Sequence, residues 1–220
     1  MGRLIAIEGI DGSGKGTQAQ RLVQSIEARG QSVRLFSFPR YEQTAFGRRI
    51  GHFLNGRYGE LNQVDPLLVS LLYAGDRFES KSALQDAIAA CDIVVLDRYV
   101  PSNIAHQCAK RTGKDRDDLR QWIENLEYRI YGLPHPDLCL LLDLPVESAQ
   151  ELIAKKQKRT YTEKAADLQE ADAEYLAAVR DVYLQLAETS ENWRRVEVLR
   201  DGTVRPVDEI ADEVLGVIGR

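Results

Sequence analysis

The sequence predicts a three-layer α/β fold: a five-stranded parallel sheet flanked by helices, with a short basic lid. Apolar, β-rich runs recur at 3–8, 33–38, 92–97, 137–143 and 194–199, and the stretches between them are mostly helical in pattern. Strands alternating with helices form a parallel sheet covered on both faces. The first run leads into a glycine-rich turn that opens a helix, and ligands of such sheets collect at the carboxyl ends of the strands. The residues just after each run are therefore the candidates for function.

After Leu4-Ile5-Ala6-Ile7 comes Gly9-Ile10-Asp11-Gly12-Ser13-Gly14-Lys15-Gly16-Thr17. The glycines permit positive φ and bring backbone N–H groups close to phosphate oxygens, and Lys15 adds a point charge. The helix that follows, with Ala19, Leu22, Val23 and Ile26 on one stripe, aims its N-terminal dipole at the same place. A nucleotide phosphate is the expected occupant of this loop. In the usual motif a hydroxyl that reaches Mg²⁺ follows the lysine directly, whereas here Gly16 intervenes before Thr17, so metal ligation needs a separate argument.

The second run ends in Phe38-Pro39-Arg40-Tyr41, where Arg40 and Tyr41 offer donors suited to a phosphate, although a turn with a solvated arginine reads the same way. Periodicity over 67–78 assigns Leu68, Leu71, Leu72 and Gly75 to the core and sets Tyr73 and Arg77 on another face. Such a pair can stack on and bond a flat base, or be a surface cation–π contact. The third run ends in Asp97-Arg98-Tyr99, which places a carboxylate and a guanidinium at the ligand edge, either for a substrate or as a structural pair. Pro101 then opens a helix carrying Ser102, Asn103, His106 and Gln107. A single histidine there is more often a surface residue than a catalyst. After the fourth run and a short helix, residues 155–164 (KKQKRTYTEK) are too polar for a core and read as a lid of about 155–168, or as a solvated charged face. Two more amphipathic helices follow, around Tyr175 to Leu186 and after Pro206.

The chain has 220 residues, 44% hydrophobic and 29% charged, which suits one domain over 1–220 with a full core. No apolar run approaches the ~20 residues that span a bilayer, so no membrane association is expected. The N-terminus lacks the pattern of a signal peptide, and a cytoplasmic address is expected. Cys91, Cys108 and Cys139 are too few and too far apart for a disulfide framework or a zinc site. A net charge of −5 argues against a nucleic-acid partner. Local positive charge at Lys15, Arg40, Arg77, Arg98 and 155–164 suits a small phosphorylated ligand instead.

Taken as an ordered set, Gly9 to Gln18, Phe38-Pro39-Arg40-Tyr41, Asp76-Arg77, Asp97-Arg98-Tyr99 with Ser102-Asn103, and Gly132-Leu133-Pro134-His135-Pro136-Asp137 resemble the thymidylate kinase family nearly end to end. The phosphate loop alone also looks like adenylate kinase. The resemblance implies the P-loop kinase fold, with ATP as donor, dTMP as acceptor, Mg²⁺ and a homodimer. It implies further that the loop from Gly9 through Ile10, Asp11, Gly12, Ser13, Gly14, Lys15 and Gly16 to Thr17 holds ATP. Tyr73 would stack on thymine, Arg77 and Asn103 would bond the base, and Phe38 and Pro39 would line the base and sugar. Tyr41 and Arg98 would hold the acceptor phosphate, with Arg40 nearby and Ser102 within the same motif. Asp11 would approach the sugar 3′-hydroxyl and a metal, and Glu170 would be a second carboxylate near the metal. His106 stands where some members place a tyrosine near the sugar 2′ edge. Gly12 fills the slot where some members carry an arginine, which leaves Arg159 of the lid as the catalytic cation beside Lys15 and Arg98. A kinase for another nucleoside monophosphate, or a nucleotide-switch module, are the rival expectations.

Overall fold

The computed structural model describes residues 2–61, 63–154 and 172–219. Its five-stranded sheet has β1 (Arg3–Glu8) at the centre, β3 (Ile93–Asp97) and β4 (Leu138–Asp143) beside it, and β2 (Val33–Ser37) and β5 (Trp193–Glu197) at the edges. All four pairings are parallel, as the alternating pattern predicts. Strands covered on both faces read as unbroken apolar runs. Ile5, Ala6, Ile7, Val94, Val95, Leu96 and Leu140 accordingly have no exposed surface.

Register brings the functional loops together. Asp97 sits opposite both Ile7 and Ser37, so β1, β2 and β3 end level with one another. Two ladder-like bonds carry this alignment into the loops: Phe38 N to Asp97 O at 3.0 Å and Arg98 N to Ile7 O at 3.1 Å.

Helix α1 (Lys15–Ala28) turns Ala19, Leu22 and Ile26 toward the core, where it packs with α9 (Val207–Ile218). On the other side lie α2 (Ala45–Leu54), α3 (Pro66–Glu79) and α4 (Lys81–Ala90). Helix α2 is capped by Thr44, whose hydroxyl accepts from Gly47 N. Helix α5 (Val100–Cys108) is buried along its whole length, wedged among α3, α6 (Gly113–Glu124) and α8 (Ala173–Thr189). Because Ser102, Asn103, His106 and Gln107 are buried with it, the polar atoms of α5 need partners inside the protein. A π-helical turn, Asn125–Ile130, continues α6, and α7 (Val146–Ala154) follows β4. Among the described residues no helix is long and apolar enough to cross a membrane.

Two local expectations are corrected. Gly75 is buried as expected and Leu71 and Leu72 are half-buried, but Leu68 is 57% exposed, and the buried residues of α3 are Pro66, Val69, Ser70, Ala74, Gly75, Asp76 and Arg77. Arg77 lies inward because Glu127 neutralises it across a separation of 50 residues, a partner that apolar periodicity within one helix cannot register. The run at 194–199 also divides: β5 ends at Glu197, and β6 (Leu199–Arg200) pairs antiparallel with β7 (Thr203–Val204). Asp201 and Gly202, with φ of +49° and +73°, make the tight turn between them.

Candidate active site

The loop between β1 and α1 has the backbone that anion binding requires. Gly14, at φ +89°, caps α1 with its backbone alone. Gly12, at φ +86°, lies so close to α7 that a Cβ there would sit 2.5 Å from the carbonyl oxygen of Ala149. Lys15 is buried, and its Nζ donates to Ile10 O at 2.7 Å, which folds the ammonium back over the loop. Ser13 Oγ is buried with no hydrogen-bond partner among the described residues. A phosphate oxygen would supply one. Gly9 and Ile10 are buried, Gly16 and Thr17 are exposed, and a Cβ on Gly16 would lie 3.2 Å from Asp97 Oδ2. A carboxylate therefore flanks the place where the common motif has a hydroxyl.

Arg98 joins this loop to α5. Its Nη2 donates to Asp11 Oδ1 at 2.6 Å, and its Nη1 faces Gly9 O at 3.4 Å, Ser102 Oγ at 3.2 Å and His106 Nε2 at 3.3 Å. The backbone at Arg98 is left-handed, φ +67°, a conformation that L-residues other than glycine seldom adopt. Beneath it lies Glu8, fully buried. Its Oε1 accepts from Tyr99 N at 2.8 Å, and its Oε2 accepts from Ser102 Oγ at 2.6 Å and Tyr183 Oη at 3.0 Å. Burial raises the Glu8 carboxyl above its ordinary range, against those hydrogen bonds and the charge of Arg98. For Arg98 burial acts to lower the pKa, but Asp11 and the other anions prevail, so the guanidinium stays charged. His106, against the expectation of a surface residue, is buried, and burial together with Arg98 pulls it down to about 3.

A fully buried guanidinium, Arg77 of α3, lies against another face of α5. Arg77 Nη2 donates to Glu127 Oε1 at 2.7 Å and Nε bonds Glu127 Oε2, a two-point pair that leaves Nη1 as the remaining edge. Burial opposes this charge too, and Glu127 more than offsets it. Asn103 Nδ2 donates to the same Glu127 Oε1 at 2.9 Å and to Ser70 O at 3.1 Å. Both partners only accept, so the amide orientation is fixed. Asn103 Oδ1 is left buried with no partner among the described residues.

Close by, Phe38 is buried with its ring 6.2 Å from that of Tyr99, and the Phe38–Pro39 peptide is cis. Pro39, Tyr41 and Tyr73 are half-buried. Arg40 differs from the other arginines. Its guanidinium is held by Gln43 and by Ser80 Oγ at 3.0 Å, while its backbone N–H donates to Asp76 Oδ2 at 3.0 Å. Asp76 Oδ1 accepts from Thr44 Oγ1 at 2.5 Å, so Asp76 ties the loop after β2 to α3.

The comparisons with known proteins coincide with this arrangement. The sequence profile described as thymidylate kinase matches residues 7–203. The chain belongs to the thymidylate kinase family. A thymidylate kinase of Mycobacterium tuberculosis is 34% identical over 86% of this chain and 87% of its own length. A probable thymidylate kinase of Thermococcus gammatolerans is 33% identical, covering 99% of this chain and 96% of that one. A solved thymidylate kinase from Candida albicans superposes with a TM-score of 0.73 at 26% identity, over 99% of this chain and 91% of the other. The chain is accordingly a phosphotransferase, and the family reaction is phosphorylation of dTMP by ATP.

In this kinase the structure brings together Asp11, Lys15, Arg98, Ser102 and His106 on one face of α5, and Arg77 with Asn103 on another. Arg159, Glu170 and the lid at 155–168 lie outside the described residues. Sequence reasoning missed Glu8, Glu127, Tyr175 and Tyr183, and it gave Asp76 and Asp97 no role of their own. Glu8 could have been suspected as a carboxylate ending an otherwise apolar strand. Glu127 carries no such signal, because it stands in a run of ordinary amphipathic helix.

Proposed function

We propose that two faces of α5 divide the work of phosphoryl transfer to dTMP, with Arg77 and Asn103 reading the base and Arg98 holding the acceptor phosphate against the loop. The observation that carries this reading is the fixed pair of edges at Arg77 Nη1 and Asn103 Oδ1, a donor beside an orphaned buried acceptor. Thymine presents the complement, an O4 acceptor next to an N3–H donor. Cytosine presents the reverse. Tyr73 would stack on the ring, Phe38 and Pro39 would line its side, and Ser102 and His106 would stand near the sugar. Tyr41 would assist Arg98 at the phosphate, with Arg40 nearby.

The loop from Gly9 to Thr17 would hold the ATP phosphates, with the Ser13 hydroxyl, Lys15 and the α1 N-terminus as donors. Among the described residues no three His, Cys, Asp or Glu side chains gather to hold a metal alone. The donor set therefore suits Mg²⁺ bound mostly through phosphates and water, with Asp11, Asp97 or Glu170 outside them. When bound, the ion would neutralise charge on the bridged phosphate oxygens. The acceptor phosphate is already ionised at neutral pH, so the protein positions and neutralises rather than abstracts a proton. Asp11 would release Arg98 toward the phosphate and face the 3′-hydroxyl. Arg159 would complete the charge from the lid at 155–168.

The unit would be one kinase domain over 1–220, working in the cytoplasm where ATP and nucleoside monophosphates occur. A homodimer would cover the exposed apolar side chains Leu67, Leu68 and Phe78 on α3 and Ile130 beside them. Sedimentation of the purified protein as a monomer at micromolar concentration would remove that part.

Coupled ADP release over a panel of nucleoside monophosphates tests the assignment. dTMP should be preferred and dUMP should be a poorer substrate rather than a dead one, since a methyl pocket discriminates by only ~1–3 kcal/mol. More efficient phosphorylation of CMP or AMP overturns the reading. For the lid, Arg159→Ala and a variant with Lys156, Lys158 and Arg159 all changed to alanine should lower kcat. A sole arginine finger can supply ~10³–10⁵. A triple variant within about threefold of the parent, under ~1 kcal/mol of barrier, would make the lid a cover only.

A further inference from the structure

His106 is surrounded by groups that leave its protons one arrangement. Arg98 Nη1 lies 3.3 Å from Nε2, and a guanidinium has donors only. Nε2 must then accept. A neutral imidazole that accepts at Nε2 carries its proton on Nδ1, and Tyr175 Oη stands 2.8 Å from Nδ1 to receive it. The same hydroxyl lies 3.1 Å from the backbone carbonyl oxygen of His106, which can only accept. One direction of donation satisfies every group: Arg98 to Nε2, Nδ1–H to Tyr175, and Tyr175 to the His106 carbonyl.

The surroundings oppose any second proton on the ring. Arg98, Lys15 and Lys110 face it with positive charge, and Asp11 acts from behind Arg98 with negative charge. Lys110 Nζ also lies 5.7 Å from the Tyr175 ring. Burial adds to the positive neighbours, so the ring stays neutral throughout the range in which the enzyme can be assayed.

We propose that His106 is a positioning residue for Arg98, a neutral Nδ1–H imidazole whose tautomer is fixed by Tyr175 and whose Nε2 holds the guanidinium at the junction of loop and acceptor phosphate. The other acceptors around Nη1 are Gly9 O at 3.4 Å and Ser102 Oγ at 3.2 Å, the latter already donating its proton to Glu8. Without the imidazole, Arg98 keeps its strong bond to Asp11 but loses one of the three acceptors that hold the opposite edge. The inference rests on the reading that Arg98 binds the acceptor phosphate. A contact between His106 and the sugar alone would act on the KM for dTMP, whereas a misplaced Arg98 acts on kcat.

The test joins a spectroscopic and a kinetic arm. In the full-length protein labelled with ¹⁵N-histidine, long-range ¹H–¹⁵N spectra from pH 5.5 to 8.5 should show His106 neutral, with the proton on Nδ1. His106→Gln serves to assign the signal. A proton on Nε2, or an imidazolium within that window, overturns the proposal. In the kinetic arm, His106→Phe should lower kcat at saturating ATP and dTMP by about tenfold, the effect of losing one charge-assisted hydrogen bond. His106→Gln, with an amide oxygen able to reach the Nε2 position, should recover to within about threefold of the parent. Tyr175→Phe should populate the Nε2–H tautomer and cause a smaller fall in kcat. A His106→Phe enzyme within twofold of the parent in kcat defeats the proposal. If His106→Phe does not fold, the tautomer of the parent and its change in Tyr175→Phe decide the matter. Failure of the parent to phosphorylate dTMP would instead defeat the assignment of the site, and the tautomer measurement would be unaffected.

Discussion

Arg77, fully buried, and Arg98, half-buried, are both arginines paired with carboxylates near α5, yet they are held in opposite ways. Arg77 is clamped at two nitrogens by Glu127, which also takes a hydrogen bond from Asn103, so its charge is fully matched before any ligand arrives. Arg98 has one short bond, to Asp11, and otherwise long contacts to neutral acceptors. A clamped guanidinium offers one edge of fixed geometry, which suits recognition of an uncharged base. One held loosely on its second nitrogen can exchange Asp11 for a phosphate, which suits a group whose charge changes during reaction. On the proposed roles, rigidity would serve selectivity on one face of the helix, and exchangeable pairing would serve catalysis on the other.

Breaking the clamp should have the largest effect. Glu127→Leu leaves Arg77 buried and unpaired and should cost about 3–5 kcal/mol in urea unfolding. Adding Arg77→Met should return much of that stability without restoring dTMP binding. If the single variant loses less than 1 kcal/mol, the pair is not the clamp described.

Arg98→Ala should lower kcat by ~10²–10³ at saturating substrates, in the range for removal of one preorganised donor to developing charge. Arg77→Ala should act more on the KM for dTMP than on kcat, because the base is bound equally before and during transfer. Steady-state kinetics showing the same split between KM and kcat for both variants would erase the distinction between the two arginines.

A pH dependence separates the two faces further. His106 has its folded pKa lowered to about 3, below the ordinary value of about 6.5 for an unfolded chain. Below that ordinary value the unfolded state binds a proton that the native state refuses, so stability falls as pH falls. The loss should reach about 2 kcal/mol at pH 5. Denaturant titrations from pH 7 to 5 should be flatter for His106→Gln than for the parent, while Arg77→Lys should leave the slope unchanged.

Asn103→Ala should give the smallest effect, a loss of about 1 kcal/mol or less in dTMP binding by calorimetry. Among the described residues its Oδ1 has no partner to abandon, so unfolding should report only the lost bonds of Nδ2.

The parallel sheet and the phosphate loop were legible in the sequence because both depend on local pattern: apolar runs at strand spacing, and glycines where φ must be positive. Arg98 was legible as well, since it ends a strand at the ligand edge. Arg77 could be named but not placed. Its burial depends on Glu127, 50 residues away, and no periodicity within one helix reports a distant counter-ion. His106 was misjudged for a related reason. Whether a lone histidine on a helix is wet or dry depends on which elements close over it, here α8 with Tyr175 and Tyr183. The carboxylates Glu8 and Glu127 stayed hidden because their importance lies wholly in burial.

The left-handed backbone at Arg98 bears on how this enzyme would evolve in the laboratory. An arginine in that conformation gives up about 1–2 kcal/mol relative to glycine, and asparagine also tolerates it. Screening for thermostability alone, with turnover ignored, should therefore enrich glycine or asparagine at position 98 together with a neutral residue in place of its partner Asp11, and yield hardier proteins that transfer phosphoryl groups far more slowly. Screening for growth that depends on turnover should keep the arginine and let stability rise elsewhere. The divergence of the two lineages at these two positions would measure how much robustness the enzyme forgoes for its activity.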